Sequence, residues 1–232
     1  MARVTKEYDE RLTEFLDTAQ KLFFEKGYEQ TSISHIIDKM GVAKGTFYHY
    51  FKTKGELLDK LALRYSQEML VKLEEVVKRT DINAVEKLNR FFILGRSFKL
   101  DNLELMKVFL KALYNDDNLR LRHKIFQTTV QLVNPIFIEI IRQGMEEGVF
   151  DVEYPDEVAK LIFSIAKDLN ESISMLLLKL NESPENIDVI SRKLKAYERT
   201  LEKIFGLPHD SIRVADREHI LAFKPEKEDK GK

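Results

Sequence analysis

The apolar positions of this chain return every three or four residues, the spacing that buries one face of an α-helix. Between Asp9 and Lys26 they are Leu12, Phe15, Leu16, Ala19, Leu22 and Phe23, and Gly27 ends the run. A short second segment repeats the pattern with Ile33, Ile36, Ile37 and Met40; Thr31 or Ser32 can cap its start, and Gly41 can supply the left-handed residue that stops it. A third segment, Ala43 to Phe51, turns Phe47 and Phe51 inward. From Thr53, a good N-cap, a long helix carries Leu57, Leu58, Leu61, Tyr65, Met69, Leu73 and Val76 on one side as far as the Thr80-Asp81 break. Five more helices are expected, at Asn83 to Lys99, Leu103 to Tyr114, Leu119 to Glu147, Asp156 to Leu180 and Pro184 to Phe205. The pattern predicts an all-α chain of about nine helices. Its boundaries are a three-helix unit over 1–53, a larger helical domain over 54–206 and a partly flexible C-terminal tail over 207–232. Within that tail Ser211 to Phe223 reads equally as a short helix or an extended arm, and KPEKEDKGK reads as solvated chain.

Composition agrees with long amphipathic helices, since the 232 residues include only 9 Gly and 5 Pro while 44% are apolar and 33% charged. Without cysteine there is neither a disulfide framework nor a thiolate metal site. The charged start MARVTKEYDER does not resemble a secretory signal, and the longest apolar runs, such as Met175 to Leu178, are too short to span a bilayer. A cytoplasmic protein with no membrane partner is expected.

Two short helices hinged at Gly41, with Val42 as the apolar plug of the turn, make a helix-turn-helix. Its second helix leaves Lys44, Thr46, Tyr48 and His49 free to point away from Phe47 and Phe51. Those outward residues are donors, and phosphate oxygens are acceptors only. Lysines supply charge, while Thr46, Tyr48 and His49 supply hydrogen bonds to phosphates or base edges. Gly45 has no side chain to hold a backbone at a distance. The DNA-facing set is therefore Thr31, Lys44, Gly45, Thr46, Tyr48, His49 and Lys54, with Thr31, Tyr48 and Lys54 positioning the backbone. The formal net charge of −1 hides a local concentration. From Thr31 to Lys54, four lysines (39, 44, 52 and 54) stand against Asp38 alone, a balance of +3. So small a footprint calls for two copies, presented to successive major grooves about 34 Å apart or a multiple of that.

These residues resemble the TetR family of one-component transcriptional regulators. The resemblance runs through Arg11, Ala19, Leu22-Phe23, Gly27-Tyr28, Thr31, Ile36, Gly41-Val42, Gly45, Tyr48, Tyr50-Phe51, Lys54 and Leu57, about a quarter of the chain. Downstream, IRQGMEEGVFDV at Ile141 to Val152 looks like the turn between the family's seventh and eighth helices. Ile37 and Met40 stand where small residues are usual, and Ala43 stands where Ser is common, which removes one cap or phosphate hydroxyl. The resemblance implies a helix-turn-helix DNA-binding domain followed by a helical ligand-binding and dimerisation domain. It also implies double-stranded operator DNA and a small-molecule effector as partners, a homodimer, and no cofactor.

Two downstream regions carry these implications. Phe92, Phe109, Phe126, Thr129 and Phe137, on consecutive helices, are candidate walls of an apolar cavity, with Gln127, Asn134 or His123 as polar anchors; equally, they fill a core. Leu161, Ile165, Leu194 and Leu201 belong to wide apolar stripes on the last two long helices. Those stripes fit either a four-helix dimer seam or a pair buried within one protomer. No spacing places a nucleophile beside a base, no phosphate-binding glycine pattern occurs, and the five histidines lack metal-ligand spacing, so no catalytic or metal residue is assigned. The expected function is a homodimeric, sequence-specific repressor released from its operator by an apolar or amphipathic ligand. The alternative is a DNA-bound interaction protein of the same fold whose cavity is filled by its own side chains.

Overall fold

The computed structural model describes residues 2–114 and 118–223. Among these the protein is all-α, with ten helices: α1 (Ala2–Lys26), α2 (Ile33–Met40), α3 (Lys44–Tyr50), α4 (Lys54–Val77), α5 (Ala84–Asp101), α6 (Leu103–Leu113), α7 (Leu119–Glu146), α8 (Pro155–Leu178), α9 (Asn186–Phe205) and α10 (Arg217–Ala222). Two starts differ from the periodicity. Helix α1 begins at Ala2 rather than Asp9, because its first two turns hold good helix formers such as Ala, Arg, Lys and Glu. The tenth helix is short, is capped by Asp216 accepting from the His219 N–H at 3.1 Å, and buries Ile220 alone.

The chain divides into two compact units: Met1–Ser66 with Glu104–Thr128, and Gln67–Leu103 with Thr129–Lys232. Two of these cuts fall inside α4 and α7 and the third one residue into α6, so they differ from boundaries placed at segment ends.

The first unit is built on aromatic packing. Phe15 of α1 lies fully buried, 5.8 Å from the Phe47 ring and 5.6 Å from Phe51, both edge-on. Leu16, Ala19, Leu22 and Phe23 continue that stripe and are likewise buried, as are Ile36 of α2 and Leu57, Leu58 and Leu61 of α4. Tyr65 meets Phe109 of α6 edge-on at 6.4 Å, and Lys124 of α7 pairs with Asp59 at 2.6 Å.

The second unit is centred on Leu73, Leu88, Phe137, Ile141, Ile162, Leu201 and Phe205. In it α8 packs on α9, and α10 rests on α9 and α5. Part of the segment read as a tail is docked. Consecutive N–H groups of Ile212, Arg213 and Val214 donate to Glu202 (3.2 Å), Asn89 (3.0 Å) and Glu198 (2.7 Å), and Asn89 Nδ2 also donates to the Ser211 carbonyl. These bonds, with Arg199 and Lys195 beside them, satisfy the two buried carboxylates. The stretch thus proves to be arm and helix in succession; the KPEKEDKGK stretch lies outside the described residues.

The α7–α8 turn shows why glycine is required once. Gly144 accepts the N–H groups of Val149 (2.9 Å) and Phe150 (3.0 Å), and Gly148 turns the chain at φ +69°. A Cβ on Gly144 would lie 2.1 Å from the ring of Phe150, which is buried against Phe205 at 4.7 Å. Gly144→Ala should therefore destabilise by roughly 1–2 kcal/mol, overpacking outweighing the helix-propensity gain. A thermal melt at the wild-type temperature would contradict this.

Candidate nucleic-acid interface

The helix-turn-helix is fixed at each end by local bonds. Ser32 caps α2: its Oγ accepts from the His35 N–H at 3.1 Å, and His35 Nδ1 accepts from the Ser32 N–H at 3.3 Å, a capping box with histidine in the third position. At the other end Gly41, at φ +64°, sends its N–H to the Asp38 carbonyl, and Val42 sends its own to Ile37. Helix α3 follows Ala43 as its N-cap residue with no side-chain cap, the consequence of alanine at that position.

On α3, burial separates anchor from display. Phe47 is 0% exposed and Phe51, just past the helix, 1%, so the helix cannot rotate without opening the core. Lys44, Gly45, Tyr48 and His49 are exposed and Thr46 is half-buried. The Lys44 ammonium lies 5.9 Å from the Tyr48 ring. Five of the seven residues assigned to DNA thus share one accessible face: Lys44, Gly45, Thr46, Tyr48 and His49. Nothing stands within 4 Å of a Cβ built on Gly45, and its φ is not positive. Glycine there is demanded by neither packing nor backbone. Gly45→Ala should stabilise the free protein by about 0.5–1 kcal/mol while weakening DNA binding. A calorimetric melt paired with a duplex titration checks both signs, and a variant that is more stable and binds equally well would free Gly45 of any role in close approach.

The other two are placed differently. Thr31 is a correction: it is fully buried, and its hydroxyl donates inward to the carbonyls of Gly27 (2.8 Å) and Leu22 (3.2 Å). A hydroxyl has one proton, and this one is used to close the α1–α2 turn, which removes Thr31 from the phosphate-contacting set. Lys54 is half-buried. Its Nζ donates to the Tyr28 carbonyl at 2.7 Å and lies 4.1 Å from the Tyr28 ring centroid, tying the start of α4 to the same turn. Burial pulls its pKa below the usual lysine range, with Glu29 opposing, and burial pushes the Tyr28 hydroxyl up to about 12.

In the downstream set, Phe109 and Phe126 belong to the first compact unit, and Phe92, Thr129 and Phe137 to the second. Phe137 is core: it is 1% exposed, with Phe91 and Phe163 both 5.2 Å from its ring. Phe92, Phe126 and Thr129 are half-buried. Among the proposed anchors, Asn134 of α7 has a buried Oδ1 that accepts no hydrogen bond from the protein. The next residue, Pro135, brings no N–H to the Gln131 carbonyl one turn earlier.

The four seam residues separate as well. Leu161 and Ile165 of α8 are 62% and 40% exposed, whereas Leu194 and Leu201 of α9 are 9% and 0% exposed. Leu194 and Leu201 are corrected to the protomer's own core, because Leu194 packs with Leu180, Ile190 and Ile220 and Leu201 with the cluster around Phe137, Ile162 and Phe205. Met175, at 45% exposed, lies on the same side of α8 as Leu161 and Ile165, and Leu178, at 37%, is exposed on another side. Sequence reasoning missed these two as exposed, since α8 is apolar on more than one side. Among the described residues no cluster of acidic or histidine side chains could hold a metal ion, and no helix is long and apolar enough to cross a membrane.

Comparison with known proteins agrees with the all-helical fold and its helix-turn-helix. The profile for bacterial regulatory proteins of the tetR family matches residues 15–61, and that for the tetracyclin repressor-like C-terminal domain matches residues 100–200. The chain is 27% identical over 172 residues to the HTH-type transcriptional repressor KstR2 of Mycobacterium tuberculosis, covering 72% of this chain and 82% of that protein. It is 30% identical over 139 residues to the fatty acid metabolism regulator protein of Bacillus subtilis, covering 58% and 68%. Among solved structures, a TetR-family regulator from Syntrophomonas wolfei shares the fold with a TM-score of 0.58 at 21% identity, over 84% of this chain and 95% of that one. FadR from Bacillus subtilis, solved in complex with stearoyl-CoA, does so with a TM-score of 0.57 at 23% identity, over 80% and 96%.

Proposed function

The chain belongs to the TetR family of transcriptional regulators, and on that premise we propose that it is a homodimeric, sequence-specific repressor released from its operator by an amphipathic ligand. It is a DNA-binding regulator and not an enzyme, and its place of work is the cytoplasm. The observation that carries the DNA reading is α3 itself: a helix anchored by fully buried phenylalanines that presents Lys44, Thr46, Tyr48 and His49 together. A side chain that must read base edges gains from such a rigid base, since misplacement forfeits the bidentate geometry that separates one base pair from another.

The ligand class follows from two supports. One is the 30% identity to a fatty acid metabolism regulator. The other is Asn134, whose buried, unpaired acceptor sits on a helix that also carries the core residues Val133 and Phe137. An acyl-CoA thioester combines an apolar chain with amide N–H donors suited to such an acceptor. Release requires tighter binding to the DNA-incompetent state, so coupling is reciprocal: operator must lower ligand affinity by the factor that ligand lowers operator affinity, about 5- to 150-fold. Titrating stearoyl-CoA and shorter acyl-CoAs into protein, with and without a selected operator duplex, tests this. Matching factors in the two directions support the proposal. If no acyl-CoA binds and none alters operator affinity, the ligand-free interaction-protein reading becomes the better one.

A further inference from the structure

The two turns of α1 that precede the expected start at Asp9 bring one aromatic side chain onto the recognition helix. Tyr8 continues the stripe of Leu12, Phe15 and Ala19 past the end of the buried core and is 38% exposed. Its ring stacks on Tyr50, with centroids 4.6 Å apart and planes 25° from parallel, and meets His49 edge-on at 6.1 Å. His49 is in turn edge-on to Tyr50 at 5.2 Å, and Tyr50 packs against Phe15 at 5.3 Å. A continuous aromatic column thus runs from the fully buried Phe15 through Tyr50 to Tyr8, with the exposed imidazole of His49 held in the angle between the two outer rings.

We propose that Tyr8 is a positioning residue for base recognition: by walling His49 on one side and clamping Tyr50 from outside, it sets the direction in which the imidazole leaves α3. This rests on the reading that α3 enters the major groove. An unsupported histidine on a helix surface samples several rotamers, and each one not suited to the base edge must be given up on binding. Aromatic neighbours that prefer edge-to-face geometry remove that choice in the free protein. Tyr8 itself need not touch DNA. The stacking also does not require the tyrosine hydroxyl, which separates a positioning role from a direct hydrogen bond.

The test is selection of bound duplexes from a random pool by the wild-type chain and by Tyr8→Ala, Tyr8→Leu, Tyr8→Phe, His49→Ala and Tyr8→Ala/His49→Ala. Tyr8→Ala and Tyr8→Leu are expected to lower affinity about 2- to 12-fold per half-site. They should also spread the base distribution at the same position that His49→Ala relaxes, leaving other positions sharp. Tyr8→Phe should behave as wild type, and the double variant should bind no more weakly than His49→Ala alone, since the interaction energy belongs to the pair. The leucine variant keeps an apolar contact on α1 and carries the conclusion if alanine loosens the helix. Unchanged base preferences in Tyr8→Ala and Tyr8→Leu overturn the proposal while leaving DNA binding intact, and strictly additive losses in the double variant do the same. A wild-type chain that enriches no duplex removes the premise and the proposal together.

Discussion

Replacing Ile165 with glutamate is expected to yield a folded monomer that binds an operator duplex 100- to 10,000-fold more weakly than the wild-type chain. Ile165 is 40% exposed in the protomer, beside Leu161 at 62%, and Met175 on the same side of α8 is 45% exposed, so these large apolar side chains are left uncovered. If a second copy covers that side, a glutamate there becomes a buried, unpaired charge and association fails. In the isolated protomer the same glutamate faces water, so the melting temperature should move little. The affinity loss follows from losing the second, tethered recognition helix, whose effective concentration multiplies binding by that factor. Leu194→Glu provides the contrast. Leu194 is packed with Ile187, Ile190 and Leu180, so a charge there should unfold the protomer rather than release it. Sedimentation with circular dichroism separates the two cases, and an Ile165→Glu chain that remains a dimer would place the seam elsewhere.

The second large effect lies under the recognition helix. Phe47→Ala should cost about 3–5 kcal/mol, the range for deleting a fully buried phenylalanine. Phe47 is 0% exposed and contacts Phe15 and Phe51 at 5.8 and 5.4 Å, so its loss opens a cavity between α1 and α3 that short helices cannot close by sliding. Operator binding should vanish with it, although Phe47 faces away from the display surface. Chemical denaturation monitored by tyrosine fluorescence would give the stability, and a loss below about 1 kcal/mol would mean that α3 is held by something other than this aromatic packing.

What could be read from the sequence, and what could not, follows from how burial is signalled. The helix-turn-helix was legible because Ile33, Ile36, Ile37, Phe47 and Phe51 face one way and Gly41 must be left-handed. Most helix ends agree to within a residue or two for the same reason, with Asn83 capping α5 and Thr53 accepting the Glu56 N–H as their residue types predict. Thr31 was misread because nothing in its immediate sequence says that its hydroxyl folds back onto carbonyls four and nine residues earlier. Lys54 has partners 25 and 26 residues away, and a charge pattern cannot report them. Leu194 and Leu201 could not be told from Leu161 and Ile165, since a wide apolar helix does not declare which side its own protomer uses. Tyr8 extends the stripe of Leu12, Phe15 and Ala19 by one turn, but its partners Tyr50 and His49 lie more than 40 residues away, where periodicity cannot report them.

Two copies of α3 are expected to read one duplex. Selection of bound sequences from a random pool by the wild-type chain tests it most directly. Enrichment is expected of an inverted repeat whose half-sites lie one helical turn, about 34 Å, or a multiple of that apart, with sharp base preferences under Lys44, Thr46 and His49. An unenriched pool, or enrichment of a single half-site without symmetry, would contradict it.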